Sequence, residues 1–295
     1  MRTTISLCVV IALSLLGARS LTAQSVELVN SFDYPGSVYS LDGTGQINDN
    51  GSYVGVVRGG GANLSGFRGN VDGYFSPPFV LPNNPLQVTA PLGINNSGLI
   101  CGFYHSTSGF IGFFHRGSQT KSYMGTPTSV STTVESVNDA EHFVGQILKR
   151  HGKAFAYVVL NRHPIPISID SVSARASGIN NLDEVVGSYD DATQENTYGF
   201  FRAADGTLTL GIAFPAAVQT QPTAINDAGY IVGFWVDADQ SKHGFVIKLP
   251  DTFINYDVPD SENTVLTGIN NSGQIIGWYQ DAQFVPRGLV AQLIE

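Results

Sequence analysis

The sequence predicts an all-β protein, specifically a six-bladed β-propeller of four-stranded blades. Three observations predict it. One motif recurs six times at nearly even spacing, the strands around it are apolar on both faces, and the first segment resembles the strand that the last copy lacks. Gly, Tyr and Phe are abundant and only 13% of residues are charged, which favours short strands and tight turns over charged helices.

The repeated motif aligns without gaps in six places, which we number copy 1 to copy 6. Successive motifs begin 47, 43, 42, 46 and 44 residues apart. The six segments are Ile47–Gly55, Ile94–Gly102, Val137–Gly145, Ile179–Gly187, Ile225–Gly233 and Ile269–Gly277. Six copies at this spacing indicate one structural unit of about 44 residues, the size of a propeller blade.

The chemistry of the motif is that of a hairpin turn. In Ile-Asn-Asn/Asp-x-Gly, the first Asn is expected to accept a hydrogen bond from the backbone N–H two residues on, and the Gly to adopt a positive φ that forms a bulge. Glu141 and Asp183 replace this Gly in copies 3 and 4, where we expect more strained turns. Each copy then reads as four strands, a to d, with the motif joining strands a and b.

Strand b decides between architectures. In Tyr230–Val236 both alternating faces are largely apolar, so neighbours must cover both sides of the sheet. The sequence shows no helices that could do so, and radial stacking of the copies meets the requirement. An open solenoid of β-units is the alternative.

The chain ends suggest how the ring closes. Copy 6 ends after its strand c, near Val285–Ile294, whereas Val26–Pro35 resembles the strand d that ends copy 5 at Pro259. Pairing the N-terminal strand with the C-terminal blade would close the ring and cover exposed strand edges.

Residues 1–23 differ from the rest of the chain. Arg2 precedes an apolar run, Ile5–Gly17, and small residues follow, as in a secretory signal peptide with cleavage after residue 20 or 23. A retained membrane anchor is the alternative, but 13 apolar residues fall short of the roughly 20 that span a bilayer. We therefore expect residues 24–295 to form one domain, secreted or periplasmic in a bacterium, with no membrane span.

The mature chain would carry 13 basic and 24 acidic residues, a balance that argues against a nucleic-acid partner. Its single cysteine, Cys101, leaves no intramolecular disulfide and reads as a small buried hydrophobic residue. We expect no cofactor, no metal and a monomer.

The motif, followed in copy 5 by His243-Gly244-Phe245, resembles the HAF family of extracellular bacterial repeat proteins. The resemblance extends over essentially the whole mature chain. It implies export and repetition, and it brings no catalytic residues with it. The His is present only in copy 5, so it is no shared ligand.

Alternating strands place the a–b and c–d turns at one end of the sheets, the motif face, and the b–c loops and d–a connections at the other, the variable face. The first Asn of each motif recurs in every copy and is interpreted as a turn residue: Asn48, Asn95, Asn138, Asn180, Asn226 and Asn270. Candidate ligand-binding residues lie where the copies differ, on the variable face: His105, Arg150, His151, Asp190, Asp191, Asp237, Asp239 and Asp281.

The sequence predicts a non-catalytic binding module for a glycan, a peptide or a cell-envelope partner. The alternative is a glycan-active enzyme, a glycoside hydrolase or lyase, with its site at the channel mouth. Such an enzyme needs two facing carboxylates, and Asp190 with Asp237 is the pair nominated. A solvated loop surface with no partner is the third interpretation.

Overall fold

The structure is a computed structural model. It describes residues 24–36, 40–59, 63–82, 84, 86–126, 128–150, 152–171 and 173–294. These residues form strands, turns and loops without a helix, so the all-β prediction is confirmed. Within these ranges no helix is long and apolar enough to cross a membrane. The predicted signal peptide and His151 lie outside the described residues.

The strands follow the predicted order within each copy. They are β1 (Ser25–Phe32), β2 (Ser40–Ile47), β3 (Ser52–Arg58), β4 (Leu64–Asn70), β5 (Thr89–Ile94), β6 (Ile100–Ser106), β7 (Gly109–Arg116), β8 (Gln119–Tyr123), β9 (Ser129–Val137), β10 (Phe143–Lys149), β11 (Ala154–Leu160), β12 (His163–Pro166), β13 (Ala174–Ile179), β14 (Val185–Asp190), β15 (Thr197–Arg202), β16 (Leu208–Ile212), β17 (Gln219–Ile225), β18 (Tyr230–Val236), β19 (Lys242–Lys248), β20 (Thr252–Tyr256), β21 (Asn263–Ile269), β22 (Gln274–Gln280) and β23 (Pro286–Ile294).

The N-terminal strand pairs with the last strand of the chain. β1 runs antiparallel to β23, with Ser25 opposite Ile294 and Phe32 opposite Gly288. The sheet of copy 6 is therefore ordered β1-β23-β22-β21, with its outer strand supplied by the other end of the chain, as expected from the sequence.

Two sheets depart from the predicted four-stranded pattern. Copy 1 has three strands, β2-β3-β4, and isolated bridges at Phe75 and Phe79 stand where a fourth strand was expected. Pro77, Pro78 and Pro82 lie in this segment, and a proline nitrogen has no hydrogen to donate to a ladder. In copies 4 and 5 a single parallel bridge, Thr197 to Gln219, joins the strands into one eight-stranded sheet.

The hydrophobic core lies between successive copies. Six clusters of buried side chains occur in the described residues, and each joins two neighbouring copies. One of them packs Tyr53 and Phe67 of copy 1 with Ile276 and Val290 of copy 6. Cys101 is completely buried in the cluster between copies 2 and 3, and its thiol is free.

The glycine that ends each motif is required by close backbone packing. A Cβ on Gly145 would lie 2.0 Å from the carbonyl oxygen of Thr133, and one on Gly102 would lie 2.1 Å from that of Ala90. Strand a bulges by one residue opposite these glycines, for example at Glu135 and Leu92. The bulge brings the strand a carbonyl over strand b, where no side chain fits.

Candidate functional site

The motif face carries a cycle of hydrogen bonds among the six first Asn residues. In every copy the side-chain oxygen accepts from the backbone N–H four residues later. The side-chain nitrogen donates to the backbone oxygen of the equivalent Asn in the next copy, at 2.9 to 3.1 Å, and Asn270 returns to Asn48. All six residues are buried. These side chains hold turns and join copies, which leaves them unavailable to a ligand.

The third residue of the motif, directly after the first Asn, forms an outer cycle. It alternates between acid and amide around the six copies: Asp49, Asn96, Asp139, Asn181, Asp227 and Asn271. In each, the backbone N–H donates to the side-chain oxygen of the next copy, at 2.8 to 3.0 Å. The amide side chains also donate to the carboxylates, as Asn96 does to Asp49 and Asp139.

A small cavity lies where the six copies meet. Its volume is about 60 Å³, and the motif residues of all six copies line it. Gln46 extends across it: the side-chain nitrogen donates to the backbone oxygens of Ser177 and Thr223, and the side-chain oxygen accepts from Ser136. One side chain of copy 1 thus contacts copies 3, 4 and 5.

Three of the predicted variable-face residues begin turns in the structure. Asp191, Asp237 and Asp281 each accept, through one carboxylate oxygen, the backbone N–H groups two and four residues later. Residues Gln194, Gln240 and Phe284, three positions on, have φ between 58° and 69°. This is the Asn turn of the motif repeated in the b–c loops of copies 4, 5 and 6 with Asp at its start.

Hydrogen bonds keep these three carboxylates ionised. The Asn196 side chain, with Thr193 and loop amides, lowers the pKa of Asp191 to about 2. The N–H of Ser241 is the main cause of the lowered pKa of Asp237, and the N–H of Val285 that of Asp281. A carboxylate held in this way is suited to a turn and poorly suited to donating a proton near neutral pH.

The other predicted residues are dispersed on the variable face. The Asp190 carboxylate accepts from the Thr197 hydroxyl at 3.0 Å, and the His105 ring lies 4.8 Å from the ring of Phe110. Arg150 and Asp239 are exposed. In the described part of the chain, no three His, Cys, Asp or Glu side chains are grouped so that they could hold a metal ion.

Two features of strands a and b are not evident from the sequence. Glu135, almost fully buried, accepts hydrogen bonds from Thr133 and from Arg175 of the next copy. Glu135 also raises the pKa of Arg175.

The second feature is the residue that follows the last Gly of each motif. It differs among the copies: Val56, Phe103, Gln146, Ser188, Phe234 and Trp278. The ammonium of Lys242 lies 5.3 Å from the ring centre of Phe234 and 5.7 Å from that of Trp278. Alignment of the copies one residue beyond the motif would have shown this variation.

No family model and no curated protein matches the chain. Solved structures do. A lectin from Aleuria aurantia matches with a TM-score of 0.53, 9% identity, and coverage of 90% of this chain and 96% of the lectin. A proposed gluconolactonase matches with a TM-score of 0.53, 11% identity, and coverage of 93% and 95%. A prolyl endopeptidase also gives a TM-score of 0.53 at 11% identity, but the match spans 88% of this chain and 43% of that one.

These similar proteins are β-propellers, and at such low identity the likeness concerns the fold alone. The chain therefore has a β-propeller-like, all-β architecture. The chemistry of its site has to be argued from its own residues.

Proposed function

We infer that this protein is an exported, monomeric, six-bladed β-propeller that acts as a non-catalytic binding module, with its ligand site on the variable face. The complete cycle of Asn hydrogen bonds and the core cluster between copies 6 and 1 support a closed ring. The first 23 residues and the resemblance to the HAF repeat proteins support export.

The contrast between the two faces is the observation that carries the proposal. On the motif face every copy presents the same Asn followed by an Asp or Asn, and these groups bond to one another. On the variable face the copies present different groups, including aromatic rings, an Arg and a Lys. An asymmetric ligand needs an asymmetric surface, so the variable face suits recognition. The Aleuria aurantia lectin was crystallised with a fucoside, a precedent for sugar binding on this fold.

The turn geometry of Asp237 favours binding over the glycan-active enzyme alternative. Its carboxylate accepts two backbone hydrogen bonds within its own loop and faces His243 at 3.4 Å. Asp190, its nominated partner, is bonded to Thr197. Both groups already have structural partners, whereas a pair of catalytic carboxylates has to face substrate.

An array of cell-wall and plant polysaccharides tests the proposal directly. The purified mature protein should bind a subset of the array and release no reducing sugar. Variable-face substitutions should weaken binding, whereas Asn50→Ala on the motif face should leave it unchanged. Hydrolysis that is lost in Asp237→Asn would establish the enzyme alternative, and binding lost only in motif-face variants would refute the assignment of the face.

Export has a separate test. N-terminal sequencing of the protein recovered from the periplasm and the medium should give a start at Leu21 or Gln24. Recovery of the intact chain in the membrane fraction would support the retained anchor instead.

A further inference from the structure

Three side chains from two copies converge on the variable face. Phe234 lies two residues before the end of β18, and Trp278 occupies the same position in β22. Lys242 begins β19, directly after the b–c loop of copy 5. Its ammonium lies between the two aromatic groups, at 5.3 and 5.7 Å from the ring centres. We call these three residues the donor cluster.

The polar atoms of the donor cluster are hydrogen-bond donors that the described residues leave without acceptors. The Lys242 backbone donates to Asn263, but its ammonium has only the two aromatic contacts within the described ranges. The indole N–H of Trp278 likewise has no acceptor among the residues that the structure describes. Gly43 of copy 1 lies beside the indole edge of Trp278 and has no side chain that could cover it. A Cβ added to Gly43 would lie 3.8 Å from the indole nitrogen.

The other tryptophan, Trp235, has an indole whose N–H is hydrogen-bonded and whose ring is stacked on its neighbours. Trp235 donates from its ring nitrogen to the Asn255 side chain at 2.7 Å. Phe214 stacks on its ring at 5.1 Å between centres, and His243 stacks at 4.3 Å. Trp235 therefore has its polar atom and its ring in use, whereas Trp278 has a free donor.

We propose that the donor cluster binds the carboxylate of an acidic sugar, a uronic acid residue of a polysaccharide. The half-buried ammonium and indole N–H present two donors close together, and a charged carboxylate forms stronger hydrogen bonds with them than a neutral acceptor does. The rings of Phe234 and Trp278 are half-buried, and their exposed parts offer apolar surface to the C–H groups of a sugar ring. The inference rests on the proposed function, since it names the ligand class of a site on the variable face.

The chain provides a matched control for the lysine. Lys248 ends the same strand β19, and its ammonium also lies over an aromatic ring, that of Tyr230 at 4.2 Å. Tyr230 belongs to the motif of copy 5, so Lys248 lies toward the motif face. Lys242→Met and Lys248→Met change the net charge equally and differ only in which end of the strand loses its ammonium.

The experiment uses the trisaccharide of galacturonic acid and its methyl ester, which has the same rings without the charge. The mature protein is labelled with ¹⁵N, and its two tryptophans give two indole N–H signals. The acid should shift the Trp278 signal and leave that of Trp235 in place. Calorimetry should show binding at least about tenfold weaker for the methyl ester, for Lys242→Met and for Trp278→Phe, as expected when a charge-assisted hydrogen bond is lost.

Other outcomes would overturn the assignment. Equal shifts of the Trp278 signal with the methyl ester would show that the protein does not recognise the carboxylate charge. An equal loss of affinity in Lys248→Met would show that the net charge of the protein, and not the position of Lys242, determines binding. If the acid shifts the amide signals of the variable face but not the indole signal of Trp278, the donor cluster is not the binding site, and the proposed function still stands. Binding seen only at the motif face would refute both.

Discussion

Replacing one Asn of the motif-face cycle tests how the copies are joined. Asn48 is buried, and its side chain makes three hydrogen bonds: it donates to Asn95 at 2.9 Å and accepts from the amides of Asn50 and Ser52 at 3.1 and 3.0 Å. At about 1 kcal/mol for each bond, Asn48→Ala should lower the free energy of unfolding by about 3 kcal/mol. For a protein of this size that corresponds to a loss of about 5 °C in Tm.

Urea unfolding followed by tryptophan fluorescence measures the effect, and the same turn supplies a control. The Asn50 side chain is exposed and makes one hydrogen bond, to Asn96 at 3.0 Å. Asn50→Ala should therefore cost less than about 1 kcal/mol. If both variants unfold at the same urea concentration, the buried Asn cycle does not stabilise the fold and the reasoning is wrong.

The remaining predictions concern packing, closure and titration. Gly145→Ala forces a Cβ to 2.0 Å from a backbone oxygen and should cost about 2 to 3 kcal/mol or more by urea unfolding; Gly43→Ala, with its nearest atoms at 3.8 Å, should cost less than about 0.5 kcal/mol. Deletion of β1 uncovers an edge of β23 and should give aggregation in light scattering. The carboxyl carbon of Asp191 should titrate by NMR with a midpoint of about 2. Cys101 should not react with a thiol reagent until the protein unfolds, since burial raises its pKa.

Each of these expectations has an opposing result. Equal stability of the two glycine variants would show that the strand adjusts to a new Cβ. A soluble deletion variant with an unchanged Tm would show that the terminal strand is dispensable. An Asp191 midpoint near its ordinary value would mean that the loop hydrogen bonds do not persist in solution, and rapid labelling of native Cys101 would show that its cluster opens.

The sign of the Asp191 effect follows from its lowered pKa. The folded state favours the carboxylate, so this group contributes stability above the pKa of the unfolded chain. That contribution is lost as the pH falls from about 4 toward 2. Asp191→Asn should abolish this part of the acid dependence.

Repetition made the fold predictable, because a pattern present six times reports the constraints that every copy shares. Turn chemistry identified the Asn hairpins, and the apolar character of both faces in β18 required packing on each side. The missing fourth strand of copy 1 was not anticipated, although its prolines signal it. The bulge in strand a has no clear sequence signal of its own, since it depends on how closely two backbones approach.

The candidate site was harder to predict because the variable face carries both residues that repeat among copies and residues that differ. Asp191, Asp237 and Asp281 each stand four residues after the motif Gly and precede an Ala, so they repeat and serve a turn. Comparison of the copies within the motif alone does not reveal this repeat, so the three residues resemble loop variation. Phe234 and Trp278 lie one residue beyond that window, in a strand, where sequence reasoning looked for core residues.

The position of Gln46 has a consequence for how the copies are held together. Its side chain bridges from copy 1 to three other copies at the cavity that all six line, with hydrogen bonds of 2.7 to 3.0 Å. Among the described residues, copy 1 shares no strand pairing with these three copies. A single substitution at this position therefore removes contacts from four copies at once.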